Sequence, residues 1–202
     1  MKKIVLLILV LASVLAGYSQ KRAASNFVIN YNLAVPISSD FVQGLSPYGA
    51  TVGYNQGIAK GLTVGLELGW NTRNKYYDRM TDYTKDGAVT TDKYKSLFTL
   101  PITATVTKDI FPGRTLIPYG KLGVGTLYSE QRVYYNIYEE DNHNWGFTVI
   151  PEIGVRIKTR KTSPWAFNAG VQYRYATNSV DDYHINNIQS VNFNAGISWL
   201  LR

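Results

Sequence analysis

Five charged residues stand in segments whose apolar residues occupy every second position, and each falls on the polar side of that alternation. They are Glu67, Lys121, Glu152, Arg156 and Arg174. Since successive strand side chains point to opposite faces, the five should share one face of a sheet, away from the apolar residues. Two carboxylates among them could serve as an acid and a base, or the charges could line a gated pore. Buried charges must be paired, so we predict a structural ionic cluster.

The two histidines are the other candidates for chemistry, since each has acidic neighbours. His143 follows Glu139, Glu140 and Asp141, and His184 follows Ser179, Asp181 and Asp182. Nucleophilic catalysis requires a nucleophile within reach of a base that is itself oriented, and loop neighbours at these spacings do not provide that arrangement. The sequence has no Cys, and it shows no His/Asp metal spacing or phosphate-binding Gly loop. We therefore predict no catalytic residue, metal site or cofactor.

The first residues have the layout of a secretory signal. Lys2 and Lys3 precede an apolar run from residue 4 to residue 11, and small residues follow at Gly17 and Ser19. The apolar stretch is about thirteen residues, short of the roughly 20 that a spanning helix needs. We expect a cleaved signal at 1–19, with cleavage after Ala16 as the alternative, and a single domain at 20–202. A lipoprotein site would need Cys where Tyr18 stands.

The chain is basic, with a formal net charge of +7 over 202 residues. Such a charge can indicate nucleic-acid binding. An exported chain does not meet nucleic acid in its normal work, so we predict no nucleic-acid partner. We interpret the positive charge as a means of contact with anionic lipid or sugar, or of solubility.

Alternation of period two recurs along the rest of the chain. The clearest case is 62–71, where Leu66 and Leu68 are followed by Trp70 and face away from Glu67. The eight alternating segments are 27–35, 48–55, 62–71, 94–107, 121–128, 145–158, 165–175 and 191–199. Tilted strands of about 9–11 residues cross a bilayer. The pattern predicts an all-β fold, an eight-stranded antiparallel transmembrane barrel.

The polar face of these segments indicates which side is inside. It consists of Gly, Asn, Thr and charged residues, and the apolar face is bulkier. A soluble barrel would place its apolar residues inside. Here the bulky set should face lipid around a filled polar interior, and closure would leave no unpaired backbone in hydrocarbon. Pro101, Pro118 and Pro151 fall inside the proposed strands, and there we predict bulges or strand ends.

The connections alternate in length. Tight turns fall at 59–61, 109–113 and 159–163, and longer stretches at 37–46, 72–92, 129–144 and 177–188. Short periplasmic turns and long extracellular loops are typical of outer-membrane barrels. Loop 72–92 combines Tyr with mixed charge, which suits either recognition of a protein or glycan or an ordinary solvated loop. Loops 72–92 and 129–144 are thus our candidate sites for a surface partner.

Aromatic residues gather toward the strand ends. They are Tyr48, Trp70, Tyr94, Tyr128, Trp145, Trp165, Tyr173, Tyr175 and Trp199. Amphipathic rings suit the headgroup level of a bilayer, so we predict an interfacial girdle. A carbohydrate-binding platform is the alternative.

By this pattern the chain resembles the small outer-membrane barrels of the OmpA-like and OmpX-like type, in the version common in Bacteroidetes. The signal ending Tyr18-Ser19-Gln20 is similar to those of that phylum, whereas the C-terminal Arg202 departs from the usual aromatic end. The resemblance implies an integral protein of the bacterial outer membrane, surrounded by lipid and lipopolysaccharide. We expect a non-enzymatic role in membrane structure or surface contact. The alternatives are a lipid A-modifying enzyme, a small pore and a soluble periplasmic lipid-binding barrel.

Overall fold

The computed structural model describes residues 25–37, 41–42, 44–84, 87–135, 138–160, 162–180 and 186–201. The signal predicted at 1–19 lies outside these residues. Eight strands follow one another along the chain: β1 (Ser25–Pro36), β2 (Ser46–Ala59), β3 (Leu62–Thr84), β4 (Gly87–Asp109), β5 (Leu116–Tyr135), β6 (Tyr138–Lys158), β7 (Trp165–Ala176) and β8 (Ile188–Leu201). A search of the described residues for an apolar helix of membrane-spanning length finds none.

The strands form one closed antiparallel ring in chain order. The first and last strands close it, pairing from Ser25↔Leu201 to Pro36↔Ser190. Closure gives the backbone groups of both strands partners on each side, as a hydrocarbon environment requires. The prediction of an eight-stranded antiparallel barrel is confirmed.

The bulky apolar side chains point away from the barrel axis. Leu66 is 68% exposed, Phe193 47% and Ile102 38%, whereas Thr103 and Asn194 on the alternate face are buried. This orientation is the one predicted from side-chain volume. The buried interior of the barrel wall is therefore largely polar, and the apolar surface is available to lipid.

Two of the predicted loops are strand instead. The ladder of β3 and β4 runs out to Thr84↔Gly87, and that of β5 and β6 runs to Tyr135↔Tyr138. Segments 72–92 and 129–144 are thus mostly extensions of barrel strands into two long hairpins. Their Tyr, Thr and Val residues favour strand, so the pairing continues although the residues become more polar. We call this end of the barrel the hairpin rim and the opposite end the turn rim.

The turn rim carries the short connections. Between β2 and β3 the backbone reverses at Lys60 and Gly61, and Gly61 adopts a φ of 69°. That left-handed conformation favours glycine. A Cβ at Gly61 would also lie 2.9 Å from the carbonyl oxygen of Asp109. Space and backbone conformation both explain glycine at this turn.

The bulges or strand ends predicted at the three prolines are found at only one of them. Pro118 lies near the start of β5, just before the β4–β5 ladder ends at Asp109↔Tyr119, as expected for a strand end. Pro101 and Pro151 produce no bulge, because the ladders resume beyond them in an unchanged register. Each proline only interrupts the ladder on one side of its strand. The ring of Pro101 lies over Gly69, where a Cβ would come within 3.0 Å of its Cγ.

The outward orientation of Leu66 gives a test of the membrane-facing surface. Leu66→Arg should lower the free energy of unfolding in lipid vesicles by about 2–4 kcal/mol, because a cation near the bilayer midplane loses its hydration. Leu45, exposed beside the start of β2 at the hairpin rim, provides the matched control. Leu45→Arg should change stability by only about 0–1 kcal/mol. Equal losses in urea titrations of the two variants would contradict the assignment of this face to lipid.

Candidate functional site

Lys121 is at the centre of an ion cluster inside the barrel. Its Nζ lies 2.6 Å from Glu67 Oε2 and 2.8 Å from Glu152 Oε2, and all three side chains are buried. The residues come from β5, β3 and β6, at inward positions of each strand. The structure thus brings together three of the five charged residues that the sequence placed on one face.

Glu152 connects this cluster to the rest of the interior. Tyr119 Oη donates to Glu152 Oε1 at 2.7 Å, Asn194 Nδ2 donates to Oε2 at 2.9 Å, and Gln172 Nε2 donates to Oε2 at 3.4 Å. These bonds and Lys121 leave neither carboxylate oxygen without a donor. Hydrogen bonds to an ionised acceptor are the stronger kind, so Glu152 ties β5, β7 and β8 to β6 through its side chain.

Arg156 belongs to a second ion pair. Its Nη1 donates to both oxygens of Asp109, at 3.2 and 3.1 Å, and its guanidinium lies 5.4 Å from the ring centre of Tyr119. Asp109 is the last residue of β4, whereas the sequence pattern predicts a turn at 109–113. The five predicted residues are therefore not one cluster of mutual partners.

Arg174 is the fifth predicted residue, and it is buried in the lumen, as is a second arginine, Arg73. Arg174 is 2% exposed and Arg73 is 1% exposed. The sequence pattern predicts a loop at 72–92, but Arg73 continues the inward face of β3 at the same parity as Glu67. Extending the alternation of β3 by one more repeat of the pattern would have identified it. Among the described residues, neither arginine forms a salt bridge.

Amides and hydroxyls fill the space around these charges. Thr51 Oγ1 donates to Asn32 Oδ1 at 2.8 Å, and Asn192 Nδ2 donates to Gln172 Oε1 at 3.0 Å. The cavity beside Lys121 and Arg156 has a volume of only about 20 Å³, which is roughly the space of one water. The interior at this level holds side chains and not a channel.

An apolar cluster occupies the lumen toward the hairpin rim. Its buried residues are Phe41, Val42, Leu97, Leu127, Val133, Ala176, Val180 and Ile188. Phe41 and Val42 come from the β1–β2 connection and Val180 from the β7–β8 connection. We call this cluster the apolar cap. Sequence periodicity did not reveal it, because three of its members lie in connections without alternation.

The predicted girdle residues lie on the outside of the barrel. Trp165 and Trp199 stack at the turn rim with ring centres 5.5 Å apart. Tyr128 and Trp145 pack at 5.2 Å on the same outer surface, nearer the hairpin rim. The other members, Tyr48, Trp70, Tyr94, Tyr173 and Tyr175, are exposed.

His143 shows no catalytic arrangement. It lies on the outward face of β6, with its ring 6.4 Å from that of Tyr128. Ser129 is buried on the inward face of β5 and donates to Asn144 Oδ1 at 2.6 Å, so its hydroxyl is turned away from His143. His184 lies outside the described residues. Within the described ranges there is no group of three His, Asp or Glu side chains that could hold a metal.

Three lysines surround Tyr77 on the inner face of the β3–β4 hairpin. The Nζ atoms of Lys75, Lys93 and Lys95 lie 5.0, 5.7 and 5.5 Å from the ring centre of Tyr77. Lys95 Nζ also lies 4.8 Å from the ring centre of Phe41 in the apolar cap. We call Tyr77 and its three lysines the lysine–tyrosine cluster.

A different charge pair lies on the outer face of the neighbouring hairpin. Arg132 Nε donates to Glu130 Oε1 at 2.7 Å, and Nη1 donates to Tyr134 Oη at 3.5 Å. The hydrogen bonds to Tyr134 and Glu130, together with the charge of Glu130, raise the pKa of the Arg132 guanidinium above its ordinary value. This pair is partly exposed, unlike the ion pairs of the lumen.

The comparisons with known proteins give one family and one architecture. Residues 4–199 match the outer membrane protein beta-barrel domain family. Neisserial surface protein A is similar in structure, with a TM-score of 0.52 and 17% identity, over 89% of this chain and 97% of that one. No curated protein matches the sequence.

Two further solved structures are similar. A major outer membrane protein of Thermus thermophilus has a TM-score of 0.54 and 12% identity, covering 89% of this chain and 100% of that one. Ail, the attachment invasion locus protein of Yersinia pestis, was solved in complex with the heparin analogue sucrose octasulfate. It has a TM-score of 0.50 and 13% identity, covering 90% of this chain and 100% of that one.

Removing the central cation tests the ion cluster. Lys121→Met should lower the free energy of unfolding by about 3–5 kcal/mol, because it leaves two buried carboxylates without their counter-ion. Adding Glu67→Gln and Glu152→Gln should recover most of the loss, since the uncompensated charges are then gone. Urea titration in lipid vesicles measures both effects.

The partly exposed Arg132 provides the control for this series. Arg132→Met breaks the pair with Glu130 and should cost no more than about 1 kcal/mol, as is usual for surface pairs. A Lys121→Met variant as stable as Arg132→Met would show that the buried cluster does not hold the barrel together.

Proposed function

Because the chain belongs to the outer membrane protein beta-barrel family, we propose that it is a non-enzymatic surface protein that binds anionic glycan through the inner face of its β3–β4 hairpin. Family membership makes it an integral protein of the bacterial outer membrane. The observation that carries the proposal is the lysine–tyrosine cluster, three ammonium groups gathered around the ring of Tyr77.

The chemistry of this cluster suits a sulfated or phosphorylated sugar. Lysine ammonium groups bind phosphate and sulfate as compact point charges. An aromatic ring with a polar tip can pack against the apolar face of a sugar while its hydroxyl stays in water. Three cations around a ring therefore match a ligand that has several anionic groups on a flat carbohydrate frame.

The position of the cluster also suits a surface ligand. β3 and β4 each have 23 residues, and about 9–11 tilted residues cross the hydrocarbon, so the hairpin extends well beyond it. Outer-membrane barrels place their short turns in the periplasm and their long connections outside. On that pattern the hairpin rim faces the exterior, where lipopolysaccharide supplies phosphorylated sugars.

A similar barrel offers a precedent for the ligand class. The Ail structure contains sucrose octasulfate, a heparin analogue. At 13% identity no binding residue carries over, and the proposed site consists of this chain's own lysines and Tyr77. Sucrose octasulfate is nevertheless a suitable probe, because it presents dense sulfate groups on a small rigid sugar.

Neutralising the three lysines should weaken binding of the glycan probe. Lys75→Gln, Lys93→Gln and Lys95→Gln combined are expected to raise the Kd for sucrose octasulfate by about 100-fold, since each lysine near an anionic surface contributes about 1 kcal/mol. Isothermal titration calorimetry on the detergent-purified barrel measures the change.

A control with the same loss of charge separates the cluster from net charge. Lys60, Lys108 and Arg114 are exposed toward the turn rim. Changing all three to Gln should leave the Kd within about twofold, a difference of less than about 0.5 kcal/mol. A wild-type protein that fails to bind the probe, or equal weakening in both triple variants, would overturn the proposal.

The filled lumen leads to a second expectation about function. The wild-type protein should produce no stable conductance steps in planar bilayers, because the ion cluster, the amides and the apolar cap occupy the lumen. Detergent added without protein provides the baseline for the recording. Reproducible unitary steps above that baseline would favour a pore.

A further inference from the structure

Arg73 and Arg174 place two guanidinium groups inside the barrel from opposite walls. β3 and β7 are four strands apart in either direction around the ring of eight. Both residues are almost completely buried. Leu97, the ladder partner of Arg73, and Ala176, two residues after Arg174, belong to the same apolar cap, so the two guanidinium groups lie at about the same level of the lumen. Like charges brought together away from water repel each other strongly.

Most of the donors on these two groups have no acceptor. Nη1 and Nη2 of Arg73 and Nε and Nη1 of Arg174 are buried without a hydrogen-bond partner. The one side-chain bond that Arg73 makes to a described residue is from Nε to Asn71 Oδ1, at 3.2 Å. Ser190, which pairs with Arg174 across the β7–β8 ladder, also has a buried hydroxyl without a partner.

The described carboxylates of the lumen each contact another cation. Glu67 and Glu152 both contact Lys121, and Asp109 pairs with Arg156. Below the half-exposed lysine–tyrosine cluster, the charged side chains that the described part of the chain buries in the lumen are four cations, Arg73, Lys121, Arg156 and Arg174, against these three carboxylates. This count leaves one positive charge without compensation, and it lies with the arginine pair, because Lys121 and Arg156 contact carboxylates directly.

Apolar side chains next to the two arginines would separate a bound ion from bulk water. Leu97 pairs with Arg73 in the β3–β4 ladder, and Ala176 is the next inward residue after Arg174 on β7. Both belong to the apolar cap. Water could satisfy the N–H groups, but it would leave the excess positive charge without compensation. A buried charge needs an opposite charge as well as hydrogen bonds.

We propose that the lumen holds a small inorganic anion, of the size and charge of chloride, between Arg73 and Arg174 beneath the apolar cap. The free N–H groups of the two guanidiniums and the hydroxyl of Ser190 supply its donors. The anion is a structural ligand that binds the folded barrel, and it is separate from the glycan proposed for the hairpin rim.

The dependence of thermal stability on the anion tests the site. Tryptophan fluorescence would follow unfolding of the detergent-purified protein in sodium chloride and in sodium gluconate of equal ionic strength, gluconate being too large for the site. A ligand that binds only the folded state raises Tm with its concentration, and we expect a rise of about 5–10 °C between low and saturating chloride. In gluconate we expect no such rise.

Variants tie this effect to the two arginines. Arg73→Met and Arg174→Met each keep an unbranched side chain and remove one guanidinium, and both should lose the chloride-dependent rise. Arg79→Met is the control, because Arg79 is exposed on the outer part of β3, and it should keep the full rise. A rise of equal size in all three variants would assign the effect to general salt action and overturn the proposal.

Bromide gives a direct measurement that does not rely on the variants folding. Crystals of the wild-type protein grown in bromide should show an anomalous scattering peak between the guanidinium groups of Arg73 and Arg174. Absence of that peak, together with equal Tm values in chloride and gluconate, would mean that water or the chain's own groups satisfy the arginines. That pair of results would overturn the proposal and leave the glycan proposal untouched.

Discussion

The absence of hydrogen-bond partners in hydrocarbon is the constraint on which the structure depends. Backbone groups that face lipid must pair within the protein, so the sheet closes on itself through β1 and β8. A ring of eight strands leaves an interior just wide enough for side chains. Glycines, amides and hydroxyls fit that width, and the bulky apolar residues take the outer surface, where they contribute to membrane insertion. Closure thus decides both the size of the lumen and the kind of residue inside it.

A polar interior without bulk water must then satisfy its own charges. The structure does so in layers: Arg156 with Asp109 toward the turn rim, then Lys121 between Glu67 and Glu152, then amides, and the apolar cap toward the hairpin rim. Glu152 makes the most contacts among these charged groups, since donors from three other strands bind its two oxygens. Several of these bonds cross the lumen and fix strands that are not neighbours in the sheet. The filling therefore acts as internal bracing for a wall that is only one sheet thick.

Sequence alternation predicted which face each residue occupies, but not its height or direction around the ring. The pattern could therefore predict that Glu67, Lys121 and Glu152 share the inner face. It could not predict that Asp109 is the partner of Arg156. Asp109 ends β4, and its contact with Arg156 depends on the stagger of the strands, which no local pattern encodes. Arg73 was missed because the rising polarity after Thr72 looked like a loop, although the inward parity of Glu67 and Asn71 continues through it. Phe41 reaches the cap from a connection, where periodicity gives no information.

The apolar cap lies between the filled lumen and the lysine–tyrosine cluster and contacts both. Phe41 is a member of the cap, and its ring also lies against Lys95 of the lysine–tyrosine cluster. The surface proposed to meet anionic sugar is therefore built directly on the residues that close the lumen. A cation held against an aromatic ring loses part of its conformational freedom before any ligand arrives, which reduces the entropic cost of ordering it on binding. Under the proposed function, the side chains that fill the lumen therefore also support the surface that would bind the glycan.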